Sequence, residues 1–83
     1  MNYELTQHAQ DAITKRNIPI EWLEQTMAHP DVTISDEHDE ELEHRLKAIS
    51  EYENRVLRVI VNHRRTPLKV VTVHFDRQMK GKL

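Results

Sequence analysis

The spacing of apolar residues changes once along this chain, close to Pro30. Before that point it is helical. Ala9, Ala12, Ile13 and Arg16 follow i, i+3, i+4, i+7 and share one stripe. Thr6 suits the N-cap, because its hydroxyl can accept from an orphan amide of the first turn. Asn17 suits the stop, since it tolerates the left-handed conformation that ends many helices. "IPIEWLEQTMAHPD" predicts a second helix, with Ile20, Leu23 and Met27 on one stripe and Trp22 at its margin. Pro19 fits its first turn, and Pro30 closes it at or before His29. A link of a few residues makes the pair an antiparallel helical hairpin.

After Pro30 the period is two. Val32 and Ile34 alternate with Thr33 and Ser35, and Leu46 and Ala48 with Arg45 and Lys47. Residues 55–62, "RVLRVIVN", set Leu57, Val59 and Val61 against Val56, Arg58 and Ile60. Residues 68–75 return, with Val71, Val73 and Phe75 on one side and Val70, Thr72 and His74 on the other. Tyr3 to Leu5 reads as a short opening strand. "DEHDEELEH" reads as a loop or frayed strand end, "SEYEN" as a hairpin connection, and "HRRTP" as a turn. The pattern predicts one α+β domain over residues 1–83, its N-terminal helical hairpin packed on one face of a small antiparallel sheet. Leu57, Val59, Val61, Val71, Val73 and Phe75 are expected under Ala9, Ile13, Leu23 and Met27.

Composition narrows the picture. There is no cysteine, so packing alone must hold the fold. The opening "MNYELTQHAQDA" lacks the basic and apolar segments of a signal peptide. No apolar stretch approaches the roughly 20 residues a membrane helix needs. A cytoplasmic protein with no membrane partner is expected. Net charge is −2, yet residues 1–43 hold 11 acidic and 2 basic residues, and residues 44–83 hold 10 basic and 3 acidic. Such polarity points to an acidic partner such as RNA, or to two halves that neutralise each other within one fold.

"LTQHAQDAITKRNIPIEWLEQTMAHPD" resembles the opening of domain-of-unknown-function family 4258, through His8, Ala9, Arg16, Ile18 and Pro30. "HRLKAI", "RVLRVIVN" and "LKVVTVHFDR" resemble its closing strands. That family is in turn similar to the BrnT, RelE and ParE toxins, which place a helical hairpin on a small antiparallel sheet. The resemblance implies a metal-independent ribonuclease with an antitoxin-like protein partner, or a non-catalytic relative that kept the scaffold as a binding or regulatory module. This chain has Asn17-Ile18 where the family usually has glycine-isoleucine, and Pro19 where a capping residue is common. Its end, "RQMKGKL", offers cations but no tyrosine.

RNA cleavage without a metal needs proton carriers and a cation for the charged phosphorane, work suited to histidine and arginine. If Leu57, Val59 and Val61 face the helices, Arg58, Thr72 and His74 face away. Arg45 and Lys47 join them if Leu46 and Ala48 point inward. The candidate catalytic set is therefore His74, Arg58 and Arg45, with Lys47, Arg64, Arg65 and Arg77 as RNA contacts. His8 and Arg16 lie about 80° apart around their helix and two turns along it, and fit either a structural or an active-site role. The acidic tract from Asp36 to His44 matches no metal-ligand spacing, so no metal or cofactor is expected.

Overall fold

The computed structural model describes residues 2–83. Strand β1 (Tyr3–Leu5) leads into helix α1 (Gln7–Arg16), then helix α2 (Ile20–Ala28) and strands β2 (Val32–Ser35), β3 (Leu42–Ile49), β4 (Arg55–Asn62) and β5 (Leu68–Asp76). The five strands form one sheet in the order β1-β5-β4-β3-β2. The last four strands are antiparallel neighbours, while β1 joins the β5 edge in parallel, so the sheet is mixed. Helix α1 packs against β5, and α2 against β4 and β3.

Capping residues set the helix ends. The Thr6 hydroxyl accepts from the Ala9 amide at 3.0 Å, as an N-cap does. Asn17 is left-handed (φ 52°), and the Ile18 amide donates to the Ile13 carbonyl at 3.0 Å. This is a Schellman stop, with Ile18 and Ile13 packed into the core. Buried Ala9, Ile18, Leu23 and Met27 meet Ile49, Leu57, Val59, Val61, Val70 and Val73. No described helix is long and apolar enough to cross a membrane.

One core position differs from the alternation expected for β5. Val70, not Val71, is buried, because the register breaks between Ile60 and Val61: Ile60 pairs with Thr72, and Val61 with Val70. Val71 is the extra residue of a β-bulge. Neighbouring carbonyls of a regular strand point to opposite edges, yet both Val70 and Val71 offer theirs to Thr6. The Thr6 amide donates to Val70 at 3.0 Å, and its hydroxyl to Val71 at 2.8 Å. Thr6 thus caps α1 and ties it to the bulge. Thr6→Ala is expected to destabilise the fold by about 1–3 kcal/mol, and Thr6→Ser by much less, read as shifts in urea midpoint.

Candidate active site

The β4–β5 register places Arg58 directly opposite His74, on the sheet face away from the helices. Arg45 and Lys47 are not beside them. They sit opposite Val59 and Leu57 and so lie on the helix side, contrary to the expectation of a four-residue groove. The reason lies at the end of α2, whose last carbonyls have no helical partner. The Arg45 guanidinium donates to the Met27 carbonyl at 2.9 Å and to Glu43 at 2.7 Å, and the Lys47 amine to the His29 carbonyl at 3.2 Å. Leu46 takes the opposite face and is fully buried there, opposite Arg58.

Arg58 belongs to a polar chain across three strands. Its Nε and Nη2 donate to Asp76 Oδ2 at 3.0 and 2.8 Å, and its Nη1 to His44 Nδ1 at 2.6 Å. With Nδ1 accepting, the His44 proton sits on Nε2, which donates to Asp36 at 2.7 Å. The four side chains are only 16–21% exposed. Burial alone would raise the Asp76 carboxyl, but the Arg58 bonds hold it below the usual carboxylate range. The bond from His44 lowers Asp36. Each nitrogen of the Arg58 guanidinium thus has a partner, which fixes the side chain beside His74.

His74 itself lies where β5 runs past the end of β1 and is flanked by α1. On that side a cleft is lined by His8, Asp11, Ala12, Lys15 and Arg16 from the helix and by Thr72 and His74 from the strand. His8, Ala12 and Arg16 recur every four residues, which puts them on one ridge, and the small side chain of Ala12 lets the strand approach. A second cleft shares Arg16 and His74 and continues over Tyr52, Arg55, Phe75, Asp76, Arg77 and Lys80. Burial pushes the His74 imidazole below its ordinary value; Arg58 and Arg16 lower it further, and Asp76 partly opposes them. That direction favours the unprotonated ring at neutral pH.

The sequence profile described as Domain of unknown function (DUF4258) matches residues 5–75. The chain belongs to that family. No curated protein and no solved structure matches it. The DUF4258 match takes in His8, Arg16, Arg58 and His74 and ends before Arg77 and Lys80.

The charges of this DUF4258 chain sort themselves. Glu43 pairs with Arg45, Asp31 with Lys47, Glu40 with Arg64 and Glu4 with Lys69, so acidic front and basic back neutralise each other in part. Among the described residues Lys15, Arg16, Arg65, Arg77, Lys80 and Lys82 have no carboxylate ion-pair partner. Four of these six line the two clefts. Arg64 and Arg65 do not: they lie in the β4–β5 turn, at the far end of strands roughly 25 Å long. Sequence reasoning did not single out Lys15, Tyr52, Arg55 and Lys80, which also line the clefts. The signal for Tyr52 and Arg55 was an aromatic residue and a cation flanking a hairpin turn; Tyr52 was read only as part of the connection and Arg55 only as the start of the next strand.

Proposed function

We propose that this chain binds RNA through backbone phosphates at the α1–β5 cleft and cleaves it without a metal ion. The observation that carries this reading is the convergence of His8, Lys15 and Arg16 from one helix with His74 from the neighbouring strand. Two imidazoles and two cations can supply the proton transfers and the charge stabilisation that transesterification of RNA needs. Neutral His74 takes the proton from a 2'-hydroxyl, whose oxygen attacks the adjacent phosphorus. Arg16 and Lys15 offset the charge on the phosphorane oxygens. The bond to the 5'-oxygen breaks, and His8 supplies the proton that this oxygen takes up. The products are a 2',3'-cyclic phosphate and a 5'-hydroxyl. Burial favours the unprotonated form of His74, and Arg58, anchored by Asp76 and His44, adds to that rather than touching RNA. The resemblance to toxins adds cytoplasmic RNA as substrate and an antitoxin-like protein as the partner that covers the cleft.

The direct test incubates the purified protein with labelled RNA in a chelating buffer and identifies the new ends. Cyclic phosphate ends, absent when the substrate is DNA, support the reading. RNA that is bound but never cut assigns the chain to the non-catalytic binding modules instead. Binding has its own signature. With about three phosphates contacted, log K should fall against log salt with a slope near −2. Arg16→Gln should weaken binding and reduce that slope by about 0.7, measured by fluorescence anisotropy across a salt series.

A further inference from the structure

Trp22, Tyr52 and Phe75 form an aromatic group at the rim of the second cleft. Trp22 stacks on Tyr52 with ring centroids 5.6 Å apart and planes 25° from parallel. Phe75 meets both edge-on, at 6.2 Å from Trp22 and 5.1 Å from Tyr52. The Tyr52 ring is thus fixed before any ligand arrives. Arg55 lies over it, with its guanidinium carbon 4.5 Å from the ring centroid and Nη1 donating to the Tyr52 hydroxyl at 3.0 Å. The Arg55 side chain is still 44% exposed, and its one carboxylate neighbour, Glu53, is 4.0 Å away and itself mostly in solvent.

We infer that Arg55, held on Tyr52, is a stacking platform for one unpaired nucleobase of a single-stranded RNA whose phosphates lie on Arg16, Arg77 and Lys80. The inference rests on the proposed RNA reading and adds a base subsite to it. A guanidinium already held against an aromatic ring and still partly exposed can meet a base with less loss of side-chain freedom than an untethered one. The cleft supplies the rest of a nucleotide's needs. Arg16, Arg77 and Lys80 line it without ion-pair partners among the described residues. Its one carboxylate, Asp76, is occupied: Oδ2 accepts from Arg58, and Oδ1 from the Gln78 amide. Arg16 and His74 line both clefts, so a nucleotide in the aromatic cleft adjoins the phosphate to be cut. Duplex RNA keeps its bases stacked inward and cannot offer one to Arg55.

The probes are two fluorescein-labelled hexamers read by anisotropy. One is 2'-O-methyl oligoadenylate, which lacks the attacking hydroxyl and so reports binding alone; the other is an abasic sugar-phosphate chain of equal length. The native protein should bind the adenylate roughly tenfold or more tighter than the abasic chain. Arg55→Lys keeps the charge and loses the plane. It should bring adenylate binding down to the abasic level and leave abasic binding within about twofold, with an unchanged melting temperature, whereas Arg16→Gln should weaken both. Equal native binding of the two probes, or a base preference that survives Arg55→Lys, overturns the subsite and leaves the phosphate cleft standing. Binding of neither probe overturns the cleft and the subsite together.

Discussion

Replacing His74 with alanine is expected to lower RNA cleavage by about 10²–10⁴-fold while leaving RNA binding within about twofold. The imidazole is half-buried between Arg58 on β4 and Arg16 on α1, with Asp76 also acting on it. Its placement suits a base that is already unprotonated. Cleavage by the native protein should therefore fall as pH drops through the depressed His74 value, which lies below 6.5. Cleavage that survives in His74→Ala, or a rate that rises into acid, removes His74 from the mechanism. Stability carries a matching signature. The folded state binds fewer protons at His74 than the unfolded chain does, so stability is lost as pH falls from 6.5 toward the folded value and changes no further below it. His74→Ala should flatten that slope in urea titrations at pH 7 and pH 5.

The largest effect on folding should come from Val61→Asp. Val61 is fully buried, opposite Val70 on one side and Glu43 on the other. A carboxylate there would face Glu43, and the nearby Arg45 is already committed to Glu43 and to the Met27 carbonyl. The penalty is several kcal/mol, against a total stability of about 4–12 kcal/mol for a domain of this size. Loss of the cooperative melt is the expected result. Ile34→Asp, at a position 40% exposed on the edge strand, should melt like the native chain. If Val61→Asp keeps its melting temperature, the core has been assigned to the wrong face.

Much of the fold was legible because local chemistry and tertiary structure agree. Thr6, Asn17 and Pro30 mark helix ends by backbone preference alone, and "RVLRVIVN" alternates cleanly enough to give β4 its ends and its buried face. The placing of β3 was not legible in that way. Leu46 and Ala48 were expected to face the helices, but the carbonyls at the end of α2 draw Arg45 and Lys47 to that side, and Leu46 is buried on the other. The β5 bulge did leave a trace. Leu68-Lys69-Val70 and Val71-Thr72-Val73 alternate in opposite phases and collide at the Val70–Val71 pair. Half of the candidate site followed from parity, since Arg58 and His74 share a face as expected. The other half could not, because nothing in the spacing of His8 and Arg16 says which strand their helix will lie beside.

The bulge also separates two things that a strand normally fixes together. Without Val71, Val70 would be followed directly by Thr72, and each would keep its present partner on β4. Every side chain of β5 would stay on its own face. Thr6 would nonetheless lose one of the two carbonyls that moor it, leaving the Val70 bond and the core packing of Ala9 and Ile13 to set where α1 lies against the strand. The orientation of His74 and the nearness of His8 and Arg16 are therefore inherited through different residues. A shortened relative could keep the strand in register and fold normally, yet hold the α1 side of the candidate site at a different distance from His74.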